Sequence, residues 1–246
     1  MTTRRPSLLL AVTCTLVAAA LAGCGSDSDG SDDTSGDGAP PAGAVQCEEG
    51  TVGDAGDPAE ADVRITRYDA QLTIADTGAL HATETIAAEF DDGEHHGIVR
   101  NLPGKDYAVS AATGTVDGAP SGVFNADVPG GGHLTLGDAD VTLAAGEHVF
   151  GVDYTADSAL EPSTGVAQDQ QFDAAVIDPA WSLDIADATV TITLPADSGD
   201  VSCIVGPGAT ATITGVGTPT LVMTADEVPA GSGVRVLVGV DVPPHA

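Results

Sequence analysis

The sequence predicts an all-β fold, an antiparallel two-sheet β-sandwich of immunoglobulin-like or related type. Three observations carry this expectation. Apolar and polar residues alternate over 68–74 and again over 80–90, the period of a half-buried strand. Similar short stretches recur as far as Val240, with Gly, Pro or Asp in nearly every gap. No segment beyond Cys24 repeats apolar residues at helical spacing.

The chain opens with a different signal. Arg4 and Arg5 precede an apolar run from Leu8 to Leu21, and Leu21-Ala22-Gly23 leads into Cys24. A charged start, an apolar middle and small residues before the cut make a secretory signal peptide over 1–23. A cysteine just beyond the cut makes it a lipoprotein signal, with a diacylglyceryl group thioether-linked to Cys24. Two acyl chains anchor stably, because each buried methylene adds roughly 0.8 kcal/mol. A transmembrane helix is the weaker alternative, since the run is short of the roughly 20 residues a span needs. Thr3-Arg4-Arg5 is also a partial twin-arginine pattern, with Ser7 where an apolar residue belongs, so the export route stays open. The expected location is the outer face of a bacterial cytoplasmic membrane.

The next segment, 24–61, reads as the lipidated N-terminus and an acidic, disordered tether. Residues 25–61 hold ten acids and no base, amid Gly, Ser, Pro and Ala. Such composition buries too little apolar surface to offset chain entropy. The folded domain is expected over 62–246. Its first element is a hairpin: Tyr68, Ala70, Leu72 and Ile74 share one parity, Asp76-Thr77-Gly78 makes the turn, and Leu80, Ala82, Ile86, Ala88 and Phe90 share the return parity. Further strands are expected over 149–154, 188–194 (closed by Pro195), 201–205, 209–214, 221–224 and 234–240. Trp181, the single tryptophan, reads as core packing, with a ligand platform as the alternative.

Charge narrows the partners. The chain carries 37 acids against 7 Lys and Arg, a formal charge of −30. Removing 1–23 takes Arg4 and Arg5 and no acid, which lowers it to −32. Nucleic acid would be repelled, and so would anionic headgroups, so the lipid must do the anchoring. The acidity reads as a solvating surface, with divalent-cation binding (Ca²⁺) as the alternative. Cys14 leaves with the signal and Cys24 is lipidated. Cys47 and Cys203 remain in an oxidising compartment and are expected to pair.

Two blocks, Ile65–Phe90 and His96-Gly-Ile-Val-Arg-Asn-Leu-Pro103, resemble the extracytoplasmic domain of predicted bacterial membrane proteins grouped as domain of unknown function 2207. Val152-Asp-Tyr154, Trp181-Ser-Leu-Asp-Ile185, Val190–Pro195 and Cys203 extend the resemblance over about 63–242. The resemblance implies an exported all-β domain with no established activity. That family continues into transmembrane helices and a glycine-rich tail. This sequence ends at Pro243-Pro244-His245-Ala246, so the lipid is expected to replace the helices.

Within the first block, Glu84 falls on the inward parity of its strand. A buried charge must be paired, and Arg100 is the best partner, because arginine suits a bidentate carboxylate contact. A structural ion pair Glu84–Arg100 is expected. The densest polar cluster, Asp91-Asp92-Gly93-Glu94-His95-His96, holds metal-ligand types (Asp91, Asp92, Glu94, His95, His96) in poor spacing, and a turn accounts for Asp-Asp-Gly. No metal or other cofactor is expected. Nucleophile motifs are missing, and Gly130-Gly131-Gly132 opens no helix. The expected function is therefore a lipid-anchored binding or structural module of the cell envelope, not an enzyme, with an envelope protein as its partner. A cation- or small-ligand-binding lipoprotein is the alternative, and a wall-polymer hydrolase ranks third.

Overall fold

The computed structural model describes residues 43–53, 62–102, 108–125 and 132–243. In chain order the strands are β1 (Val45–Gln46), β2 (Glu48–Glu49), β3 (Val63–Ile74), β4 (Leu80–Phe90), β5 (Gly97–Asn101), β6 (Ala108–Val116), β7 (Ala119–Pro120), β8 (Val123–Asn125), β9 (His133–Gly137), β10 (Gly146–Asp157), β11 (Glu161–Pro162), β12 (Gln170–Ile177), β13 (Ile185–Thr193), β14 (Ser198–Val205), β15 (Thr210–Thr214), β16 (Thr220–Val228) and β17 (Val234–Val240). No helix occurs among the described residues, so none there is long and apolar enough to cross a membrane.

The strands form three sheets: β1-β15-β16-β13-β3-β4-β10-β6-β7, β11-β12-β17-β14-β2, and β5-β9-β8. The expected hairpin is present as β3 and β4, with Gly78 at φ +78° closing the turn. Tyr68, Ala70, Leu72 and Ile74 of β3, and Leu80, Ala82, Ile86, Ala88 and Phe90 of β4, are all buried. All six later strands expected from alternation are present too. One contiguous hydrophobic core draws on all three sheets, from Ile65 and Phe150 through Leu134 and Leu136 to Phe172 and Val236.

The outward face of the nine-stranded sheet is paved with short polar side chains. Across adjacent strands, Thr113, Asp153, Thr83, Gln71 and Thr191 stand in register, and Thr115, Gly151, Thr85, Asp69, Thr189 and Thr224 form the next row. β-branched threonine fits an extended backbone and keeps a hydroxyl in water. This is the hydrated half of the alternation seen in the sequence.

Three expectations require correction. The sheets are not purely antiparallel: β13 runs parallel to β3, and β14 parallel to β2. Period-two patterning fixes which face is apolar but not strand direction, and no tight turn constrains strands so far apart in sequence. The strand order therefore departs from the immunoglobulin arrangement of two antiparallel sheets. The region expected as tether also contributes to the fold. β1 pairs with β15 and β2 with β14, so residues 45–49 cap one edge of each larger sheet. Cys47, between them, is disulfide-bonded to Cys203 as expected, and this cross-link offsets the poor apolar content of the segment. Residues 1–42, and with them the signal peptide and Cys24, lie outside the described residues.

Candidate functional site

The most constrained chemistry lies where the small sheet β5-β9-β8 meets the nine-stranded sheet. Glu84 points inward from β4 and Arg100 inward from β5, and their side chains are 1% and 2% exposed. Arg100 Nε donates to Glu84 Oε2 at 2.7 Å and Nη2 to Oε1 at 2.8 Å, the fork-to-fork geometry of a bidentate pair. Nη2 also donates to the Tyr68 hydroxyl at 3.3 Å, and Nη1 to the Asn101 carbonyl. The guanidinium carbon lies 4.6 Å from the centre of the Trp181 ring, which meets Tyr68 edge-on at 5.9 Å. Burial, reinforced by the neighbouring Glu84 carboxylate, pushes the Tyr68 hydroxyl far above its usual titration range. Burial, the largest single influence, would lower the Arg100 value, but the Glu84 charge and hydrogen bonds together with the Tyr68 and Tyr154 hydroxyls outweigh it, and the net direction is upward. Every guanidinium nitrogen is engaged, and the cluster holds the arginine in place. Trp181 is core packing, as expected, and it also covers the arginine.

Arg100 fixes the inward side of β5, which in turn sets what the small sheet shows to solvent. Ile98, Leu134 and Leu136 join the core, while Val99 (54% exposed) and Val123 (71%) point outward on either side of Thr135. At one end of this sheet Gly97 (φ +138°) faces Gly137 (φ +126°). A Cβ on Gly97 would lie 1.8 Å from the Leu136 carbonyl oxygen, so only glycine allows the two backbones to meet. Beside them a groove of about 220 Å³ runs between 96–99 and 135–139. Its surroundings are acidic. Asp91, Asp92, Glu94, Asp138 and Asp140 are exposed, and the Arg or Lys nearest in the described chain is the buried Arg100.

The polar cluster at 91–96 does not converge. His95 Nε2 meets Asp91 Oδ1 at 2.8 Å and its ring packs on Phe90, whereas His96 Nδ1 meets the Val141 carbonyl at 3.0 Å. Asp92 and Glu94 point to solvent. No group of three or more His, Cys, Asp or Glu suited to a metal occurs among the described residues. A pairing that alternation did not reveal involves His148, whose Nδ1 lies 2.7 Å from Asp117 Oδ2 and Nε2 2.9 Å from the Ala144 carbonyl. Two acceptors facing two ring nitrogens favour the imidazolium, so the His148 value rises, first through Asp117 and then through Ala144. Asp117, held by the Val149 amide and by His148, is shifted down. Asp117-Gly118, both at positive φ, forms the β6–β7 turn, so the turn chemistry itself presents this carboxylate. Elsewhere, an open cleft of about 290 Å³ holds Arg64 and Glu227, 3.9 Å apart and both exposed.

Fold and site together define a class: an all-β domain in which a buried arginine–glutamate pair latches a small sheet onto a large one. The chain belongs to the family described as predicted membrane protein (DUF2207) N-terminal domain, whose model matches residues 64–240. No curated protein matches it in sequence. Among solved structures, leukotriene A4 hydrolase from Saccharomyces cerevisiae shows 13% identity and a TM-score of 0.43, over 72% of this chain and 29% of that one. A putative protease from Parabacteroides distasonis shows 13% identity and 0.42, over 74% of this chain and 41% of that one. The M1 zinc metallopeptidase from Deinococcus radiodurans shows 17% identity and 0.36, over 71% and 42%. This chain thus spans less than half the length of each, and overlap this loose does not carry an activity from one protein to the other.

Proposed function

We propose that this protein is a lipid-anchored, exported docking module of the bacterial cell envelope, tethered through Cys24 and without catalytic chemistry of its own. The family's description as membrane proteins supports the location. In this proposal the layers form a two-layer sandwich, with the nine-stranded sheet facing the other two. The shared core and the Glu84–Arg100 link between layers support that arrangement.

The observation that carries the docking role is the row Val99–Thr135–Val123 with its adjoining groove. In a chain this acidic, two valines more than half exposed on one small sheet, beside an apolar depression, offer a partner an apolar contact. Scattered exposed valines need no explanation, but here both stand in register with Thr135, on the strands either side of it. The test is crosslinking in intact cells with the full chain. Wild type should give a discrete adduct at the membrane. Val99→Asp with Val123→Asp should lose it while melting unchanged, and Cys24→Ala should release the protein to the medium. An adduct that survives the double substitution contradicts the docking role.

A further inference from the structure

We propose that the free edge of β6 accepts an extended, cationic segment of a partner protein as an added β-strand. This deepens the docking role and rests on it. All four outer edges of the two larger sheets are formed by strands of two residues, β1, β2, β7 and β11. Short edge strands protect a sheet from unwanted pairing. β6, β12 and β14 run on past those short strands, and of the three β6 is the most exposed. β7 pairs only with Thr115 and Val116, and Ser121 N donates to the Gly114 carbonyl, which leaves 108–113 with no strand beyond them among the described residues.

Register identifies the groups on offer. The Gly114 carbonyl faces away from β10, since it is taken by Ser121. Orientation alternates along an antiparallel strand, so the N–H and C=O of Ala112 also face away from β10. Ala108, Ser110, Ala111 and Thr113 are exposed, and the edge carries no charge and no proline; a register shift at Ser110 interrupts the ladder, so the regular part of the open edge is 111–113. Added strands obtain affinity from main-chain hydrogen bonds and selectivity from alternate side chains.

Electrostatics choose the occupant. On β10, directly across β6, stand Asp153 opposite Thr113 and Asp157 opposite Ala108. Described residues 108–125 and 132–157 contain no Arg or Lys to offset these carboxylates. An added strand lies two strand spacings, about 9.5 Å, from β10, within the screening length of about 8–10 Å over which lysines still feel these carboxylates. A second copy of this chain, with its formal charge of −30, is disfavoured by the same field. The partner strand therefore alternates Lys or Arg on its outward side with small apolar residues that continue the half-buried Val109 and Ala112 side.

The probe is a labelled peptide, KVKVKVKV, added to the full mature chain, with EVEVEVEV and a KVKVKVKV form N-methylated on alternate residues as controls. The expected result is saturable binding of KVKVKVKV, weakened at least tenfold by N-methylation and by Ala112→Pro, with slowed amide exchange at Ala112. Ala112→Pro removes one outward N–H and spares the β10 ladder. Should that variant fold poorly, Thr113→Lys, on an exposed position, is expected to weaken binding comparably. Equal binding of the N-methylated peptide, or unchanged binding to both variants, shows bulk charge attraction and overturns strand addition. Binding of EVEVEVEV at equal strength overturns the cationic choice. If KVKVKVKV binds as expected and no cellular adduct forms, the docking role fails and the edge chemistry stands. If an adduct forms and is lost with Val99→Asp and Val123→Asp, yet no peptide binds, strand addition fails and the docking role stands.

Discussion

Glu84 stands between Ala82 and Ile86 on the inward side of β4, a position the pattern reserves for an apolar residue. Its two oxygens meet two nitrogens of Arg100, so removing one partner leaves the other buried and unmatched. Breaking such a pair typically lowers stability by about 3–5 kcal/mol, whereas replacing both partners by apolar residues is often neutral. Glu84→Gln is therefore expected to lower the urea midpoint by the equivalent of about 3 kcal/mol, and Glu84→Met with Arg100→Met to recover much of it. Unchanged unfolding of Glu84→Gln would show that the pair does not hold the sheets together. His148 and Asp117 make a pH-dependent contribution of opposite signs. The raised His148 value stabilises fully below about pH 6.5 and is lost as pH rises through it; the lowered Asp117 value stabilises above about pH 4 and is lost as pH falls through it. The destabilisation caused by His148→Phe should thus be largest between about pH 4 and 6.5 and smaller at about pH 9. Because Asp117 is half exposed, the effect is small, and a difference independent of pH would show that the pair adds no electrostatic stability.

At the scale of elements, the strap 45–49 depends on the Cys47–Cys203 bond, because four paired residues cannot order themselves alone. The bond closes a loop of 156 residues in sequence separation, which corresponds to about 5 kcal/mol in the chain-entropy model. Cys47→Ser with Cys203→Ser is expected to lower stability by several kcal/mol and to speed amide exchange at Cys47 and Gly50, whose N–H groups bond to Ala211 and Val205. Unchanged exchange there would show that β1 and β2 hold without it. Strands differed in how openly the sequence declared them. β3, β4 and β13 have one wet and one dry face and announce themselves by alternation, and β17 does so by its valines at every second position. β12 is buried at seven of its eight positions, and β6 has no fully buried position, so neither alternates. β5, β8 and β9 are too short for a period to register, and although the inward parity of Glu84 pointed to Arg100, nothing in the sequence marked the small sheet that carries it. Trp181 over the guanidinium and the Asp117–His148 contact join residues far apart in sequence, for which local patterning holds no signal.

In the whole molecule, two unlike flanks share one core. One is the hydroxyl-paved face of β3, β4, β13 and β16, suited to water. The other gathers the outward valines of β5 and β8, the groove beside them and the open edge of β6, under a field of carboxylates. Alternation made the first flank legible. The second was not, because an apolar residue facing solvent reads in sequence as one facing a core. Amide hydrogen exchange probes this division most directly, with the full chain in native membranes compared with the same chain released in mild detergent. A docking flank should exchange more slowly in membranes at 97–101, 108–113 and 123–125, while β13, β15 and β16 stay unchanged. Slowing confined to the threonine-lined strands, or no slowing at all, would refute the docking flank.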